Sequence, residues 1–420
     1  MLPILRRGAA SLLAAALLGV AAPVALGPAP ALAADCAAPG RLSAGTSWAR
    51  AMLSIDAVTS FSRGDGVEVA VLSTGVRAGH RQLTGRVLTG RDAVTGNGPA
   101  DTDCTGAGTQ VAGVIAAAAT ANGPVTGLAP QTTVLPVRVV PDTGSAPSAA
   151  DPAQLARGID FALQGGADVI VVAVPAYQDT TALRQAVASA VQKDVPVIAA
   201  AGDLGSAQDG NPAPFPASYP DVIGVGAIGE DGKTYGKSQH GTYVDLVAPG
   251  VAVPTLQGGD GAAQALVEAD GTALAAGYVG AAAALVRGRS GKMPVADLTR
   301  LLTASASPAM TGDGFGAGVV NPYAAVTGRL TAKKERALPA LVPSAATRSG
   351  AENERRRAAF TGAAIAAVAV VAVLMVTAAI RRSRRQHWRP ATAPPLAEYE
   401  EPIEPGPPVM LLDRSSEPSS

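Results

Sequence analysis

Aromatic residues supply only 3% of this 420-residue chain, so its 48% hydrophobic content consists mostly of Ala, Val and Leu. Net charge is also missing: 33 Lys+Arg balance 33 Asp+Glu, which leaves no field to steer the chain onto nucleic acid. Charged residues total 16%, too few and too apolar a background for a chain disordered throughout. Gly and Pro are plentiful, at 48 and 33, but lack a collagen period, so they mark tight turns and Pro-rich connections. No internal repeat is visible. The length allows one large domain with appendages.

Both ends carry long uncharged runs. Arg6 and Arg7 precede an apolar stretch from Gly8 to Leu26, and Ala31-Leu32-Ala33 has the small-residue pattern that signal peptidase reads. Residues 1–33 are therefore read as a signal peptide, with an uncleaved anchor as the alternative. A second run, 358–380, has no charged residue and is long enough to span a hydrocarbon core of about 30 Å. Arginines flank it on both sides, Arg355 to Arg357 and Arg381 to Arg385, as suits lipid headgroups. We read it as a transmembrane helix. Basic residues balance across it, so orientation rests on the signal peptide, which places residues 34–357 outside the cell. Residues 329–357 read as a Pro/Ala/Arg-rich linker and 381–420 as a disordered cytoplasmic tail.

The sequence holds two cysteines, Cys36 and Cys104, both in the exported part where oxidation is permitted. Their pairing is the economical expectation, tying an N-terminal extension (34–64) to the globular domain (65–328); two free buried thiols are the alternative.

Within 65–328, short β-branched runs alternate with Ala-rich helical stretches. Strands are expected at 67–72, 133–140, 169–174, 195–200, 222–228 and 243–248, and helices at 109–119, 152–164, 181–192, 272–287 and 295–305. The run Val169-Ile170-Val171-Val172 is apolar at every position, as in a parallel sheet covered on both faces.

Nine ordered segments, among them VAVLSTGV (69–76), DCTGAGTQVAGVIAA (103–117), VPVIAAAGD (195–203), YVDLVAPG (243–250), GTALAAGYVGAAAALVR (271–287) and GVVNPYAAV (318–326), resemble the subtilisin-like serine proteases. With the export signal and the C-terminal span, the chain is most similar to the mycosin branch, membrane-anchored subtilases associated with type VII (ESX) secretion in actinobacteria. The resemblance implies a three-layer α/β fold with a mostly parallel central sheet, and membrane components of a type VII secretion complex as partners, with exported peptides as a further class. It implies no cofactor, no metal and no nucleic-acid partner.

The resemblance also locates the family's catalytic groups, and here the sequence departs from it. Ser73 stands at the family's Asp position, Ala107 at its His, Ala273 at its Ser, and Asp203 at the Asn that donates to the oxyanion. A methyl group at 273 cannot attack a carbonyl, one at 107 cannot take a proton, and an ionised Asp203 donates no hydrogen bond. The expectation is accordingly a pseudoprotease, not an enzyme, that binds proteins as a structural or regulatory part of the secretion complex. An active subtilisin-like endopeptidase processing exported substrates is the alternative; an anchored receptor sequestering peptides is a third.

The remaining candidates read as structural. His80 and His240 are expected in loops, His80 in a surface turn, and Ser73 is expected to satisfy local backbone. Asp101, Asp103, Asp260 and Asp270 lack a calcium-loop pattern and read as solvated loop carboxylates. TGAG around Gly106 lacks the phosphate-loop signature. Val174-Pro175-Ala176 departs from the family's Ser-x-Gly substrate strand; proline there removes a backbone donor, which weakens strand-type peptide pairing.

Overall fold

A computed structural model describes residues 36–38, 40, 42, 47–121, 123–144, 148–259, 263–328 and 350–385. The signal-peptide segment, the cytoplasmic tail past 385, most of the linker and Asp260 lie outside the described residues. The chain divides into two units, Met1–Lys334 and Glu335–Ser420.

The first unit starts with two short helices, α1 (Trp48–Met52) and α2 (Ile55–Val58). There follow β1 (Glu68–Ser73), β2 (Arg91–Asp92), α3 (Ala107–Ala116), β3 (Thr133–Arg138), α4 (Pro152–Gly165), β4 (Val169–Val172), α5 (Thr181–Gln192), β5 (Val197–Ala200), β6 (Val222–Ile228) and β7 (Leu246–Pro249). A hairpin of β8 (Val253–Leu256) and β9 (Leu266–Ala269) leads to α6 (Thr272–Ser290), α7 (Val295–Ala304) and α8 (Pro322–Thr327). The seven strands β1 to β7 form one parallel sheet in the order β2-β3-β1-β4-β5-β6-β7.

Pleating sorts the apolar residues of each strand between the two faces. Along β1, Val69 and Val71 join the cluster containing α3 and α6, whereas Ala70 and Leu72 join the one containing α4 and α5. Helix ends follow their caps: Thr180 Oγ1 accepts from Leu183 N at 3.3 Å to start α5, and Asp151 accepts from Ala153 and Gln154 to start α4. Helix α6 is apolar all round and buried almost along its length, as its Ala- and Gly-rich sequence requires. Gly280 lets it approach β4 closely, since a Cβ there would lie 2.3 Å from Val171 Cγ2.

The three-layer α/β expectation is met. The differences are local: β7 begins at Leu246, not at 243, and the β8/β9 hairpin and α8 were not anticipated. Pro254 inside β8 conceals that strand, because proline is ordinarily a strand breaker; here it sits on a two-stranded antiparallel hairpin.

The second unit contains α9 (Gly350–Arg385), and the most apolar 18-residue window within Arg357–Arg385 has a mean hydropathy of 2.7. That span is long and apolar enough to cross a membrane. The helix starts inside the segment read as linker.

Candidate active site

In an open parallel sheet the loops at the carboxyl ends of the strands enclose the crevice where ligands bind. A cavity of about 260 Å³ opens there, at the ends of β1, β4 and β5 and the start of α3 and α6; Ser73, Ala107, Asp203 and Ala273 all line it. The four positions singled out in the sequence, separated by up to 200 residues, are thus brought together. Asp270, Thr272 and Ser148 also line it and were missed as site residues. For Asp270 the usable signal was its place between a strand and the GTALAAG helix start.

The wall carrying Ala107 is held by a polar network. Arg138, at the end of β3, donates to the carbonyl oxygens of Thr74 (2.8 Å) and Thr102 (2.8 Å) and pairs with Asp142 at 3.2 Å. Asp142 in turn accepts from Cys104 N at 2.7 Å and Thr105 N at 3.0 Å; burial pushes its carboxyl up despite these donors. The Cys36–Cys104 disulfide, with Cα atoms 4.6 Å apart, closes the same loop. Alongside it Ala37 N donates to Cys104 O at 2.8 Å. The expected pairing is therefore present.

Asp103 is not a solvated loop carboxylate but 2% exposed. It caps α3, accepting from Gly106 N (2.8 Å), Thr109 N (2.7 Å) and the hydroxyls of Thr74 (2.9 Å) and Thr109 (2.6 Å). Most of these bonds lie within six residues of it, and Thr74 at the end of β1 adds one from a separate segment. Asp270 is exposed, accepting from Ala252 N, and the carbonyl of Asp101 accepts from Ala78 N. Among the described residues no group of three or more His, Cys, Asp or Glu could hold a metal ion.

Ser73 also departs from expectation. Its Oγ is buried, the residue 1% exposed, and finds no hydrogen-bond partner; it does not satisfy local backbone because the turn beyond β1 uses Thr74 instead, whose Oγ1 accepts from Gly108 N at 3.1 Å. An unpaired buried hydroxyl costs about 1–3 kcal/mol, so Ser73 weakens the fold at the cavity wall.

Asp203 lies just past β5, against the start of α6. Its Oδ1 accepts from Thr272 N and Thr272 Oγ1, both at 2.9 Å. Gly271, at φ +139°, gives its other oxygen space: a Cβ there would stand 2.8 Å from Oδ2. Burial pushes the carboxyl above its ordinary range, opposed by the two Thr272 bonds and by Lys237. The reading of Asp203 as a plain ionised acceptor is thereby qualified: its charge is costly where it sits.

The two histidines occupy loops away from the cavity lining. His80 is not in a surface turn but fully buried. Its Nδ1 accepts from Gln82 N at 3.2 Å and its Nε2 donates to Ala265 O at 3.1 Å; burial pushes its pKa down. His240 is exposed, its carbonyl accepting from Asn211 Nδ2 at 2.8 Å.

Pro175 follows β4 on the cavity wall. Its carbonyl accepts from Ala150 N at 2.9 Å, and Ala176 exchanges two 2.8 Å bonds with Phe215. Main-chain groups at this edge are thus already engaged within the chain.

Residues 64–324 match the subtilase family, Peptidase_S8. Subtilisin DY of Bacillus licheniformis is 33% identical over 265 residues, 63% of this chain and 92% of its own length. Among solved structures, MycP1 from the ESX-1 type VII secretion system aligns with a TM-score of 0.62 and 28% identity, covering 73% of this chain and 92% of that one. MycP3 protease from the type VII (ESX-3) secretion system aligns at 0.58 and 28%, covering 70% and 92%. These findings correct the expectation that the chain is not an enzyme: the matched family and relatives are proteases, so the comparisons point to a protease. The expectation rested on four side chains, whereas the match rests on the whole scaffold that builds the cleft. Those four also do not exhaust the polar lining, because Ser148, Asp270 and Thr272 line the cavity as well.

Proposed function

The chain belongs to the subtilase family, and on that premise we propose that it is a membrane-anchored subtilase of a type VII secretion system that acts on exported polypeptides through the cleft at the carboxyl ends of β1, β4 and β5. The observation that carries this reading is the likeness to MycP1 and MycP3 over 92% of each of those chains, joined to an apolar C-terminal helix able to span a membrane. A fold alone supports no pathway; the secretion systems to which these neighbours belong supply it.

In this reading residues 1–33 direct export, the subtilase unit faces outward, and the tail beyond Arg385 is cytoplasmic. Its partners are the membrane components of the secretion complex, and its substrates are exported polypeptides. We assign Ser73, Ala107 and Ala273 to the family's Asp, His and Ser positions and Asp203 to its oxyanion Asn. Bond cleavage in this cleft then depends on the hydroxyl and carboxyl groups that line it, since methyl groups occupy 107 and 273.

Two measurements test the proposal. Affinity purification of the tagged full chain from mildly solubilised native membranes is expected to recover type VII membrane components; recovery of the chain alone overturns the assignment to that system. Incubation of the purified full chain with exported polypeptides, read by mass spectrometry, is expected to give discrete cleavage products that Asp203→Ala abolishes. Intact polypeptide under every condition overturns the proteolytic part.

A further inference from the structure

The cavity is more than a vacant active-site position, because its polar lining is of one electrostatic kind. Two acidic residues line it, Asp203 from the loop after β5 and Asp270 from the turn before α6, and among the described residues no Lys, Arg or His does. On the opposite wall Ser73 keeps its Oγ buried behind the surface. Asp203 is already oriented: Thr272 takes both bonds to Oδ1, and the missing side chain at Gly271 leaves Oδ2 unobstructed. Ala107 and Ala273 contribute only methyl groups to the walls.

We propose that this cavity is a seat for a basic side chain, the ammonium of a lysine or the guanidinium of an arginine, on a polypeptide bound in the cleft, with Asp203 Oδ2 as its charged partner. The inference rests on the reading above that the cleft takes polypeptides, and it adds the side-chain class that the cleft selects. An anionic group would meet two carboxylates with no cation on the lining. A neutral apolar group would leave Asp203 Oδ2 desolvated with no compensating partner. A cation supplies that partner, because charge-assisted bonds are the strong ones in a buried site. At about 260 Å³ the space suits a side chain, below the size usual for cofactor pockets.

The titratable groups around Asp203 fix the expected pH response. Asp270 stands beside it before α6, Lys237 is exposed on the loop after β6, and Tyr177 and Tyr235 pack near it with phenols that burial pushes up. Among the described residues Lys237 is the cation that acts on Asp203, and it does not line the cavity. Burial holds the free carboxyl up; a bound cation lowers it, so by linkage binding releases protons and strengthens as pH rises.

The test uses the full chain in detergent micelles and two capped, amidated tetrapeptides, Ala-Ala-Lys-Ala and its norleucine counterpart, measured by titration calorimetry at pH 7.5 and pH 5. The expected result is at least a tenfold preference for the lysine peptide at pH 7.5, a smaller one at pH 5, and proton release that depends on buffer ionisation. Asp203→Asn, which keeps the acceptor that caps α6, is expected to bring the two peptides within threefold of each other. Equal binding of both peptides overturns the inference while leaving a polypeptide-binding cleft in place. An unchanged preference in a folded Asp203→Asn also overturns it. Binding of neither peptide at either pH overturns both this inference and the cleft reading beneath it.

Discussion

Cys36 and Cys104 are joined across 68 residues of sequence by a disulfide that fastens the N-terminal segment to the loop carrying Ala107 into the cavity. The attachment is reinforced by Ala37 N to Cys104 O at 2.8 Å and Gln257 Nε2 to Ala38 O at 3.1 Å. Closing a loop of that length contributes about 4 kcal/mol in the chain-entropy model. Cys36→Ser is expected to lower the unfolding free energy by that order, read as a shift in the denaturation midpoint, and dithiothreitol to do the same to the wild type. A midpoint insensitive to both contradicts the assignment.

Asp203 gives a pH-dependent prediction whose sign follows from its surroundings. Its carboxyl is raised in the folded chain, mainly by burial, so between the ordinary carboxylate value near 4 and the folded value the native state holds the proton more tightly than the unfolded one. The ionised form therefore destabilises the fold at neutral pH, and that penalty is absent below about pH 4. Asp203→Asn keeps an acceptor for Thr272 and removes the charge, so it is expected to be more stable than the wild type at pH 7, with the difference closing as pH falls. Thermal denaturation of both proteins from pH 7 to pH 4 reads this out; a destabilised Asn variant at pH 7 refutes it.

His80 predicts the opposite trend. Its pKa is lowered by burial, so the unfolded chain takes up a proton as pH falls below about 6.5 while the folded one resists it. Stability is lost over that range on this account. His80→Asn retains a donor and an acceptor without a titration near neutrality, and its melting temperature is expected to vary less between pH 7 and pH 5 than that of the wild type. Parallel pH profiles for the two proteins reject the claim.

Much of the scaffold was legible because its signals are local. The run Val169 to Val172 announces a covered parallel strand, and Thr180 followed by an amphipathic stretch announces α5. The hairpin of β8 and β9 is not legible, because Pro254 masks one strand and the other, Leu266–Ala269, carries Glu268 and is buried at no position. The site divides the same way. Resemblance to an ordered set of motifs grouped positions 73, 107, 203 and 273, which the fold does bring to one cavity. The lack of a partner for the Ser73 hydroxyl and the bond from Thr74 to Asp103 are set by how separate segments pack, so they emerge only in three dimensions.

Ser73 therefore makes its own prediction. Removing a buried hydroxyl that has no partner removes a desolvation penalty, so Ser73→Ala is expected to raise stability by about 1 kcal/mol, measured by denaturant titration at constant slope. A loss of that size instead points to an unrecognised bond from Ser73 Oγ.

The contact between α6 and β4 predicts a coupling. A Cβ at Gly280 would lie 2.3 Å from Val171 Cγ2, and Val171 is fully buried. Gly280→Ala gains about 1 kcal/mol in helix propensity but overpacks this contact at a cost of about 1–3 kcal/mol, so a net loss is expected. Val171→Ala alone opens a cavity and is expected to cost about 2 kcal/mol or more. In the double variant the new methyl of residue 280 occupies the volume left by Val171, so the summed losses are not realised. The double-mutant cycle is expected to return a favourable interaction of about 1 kcal/mol or more, the range found for residues in contact. Strict additivity of the two denaturation shifts contradicts the close approach of α6 to the sheet.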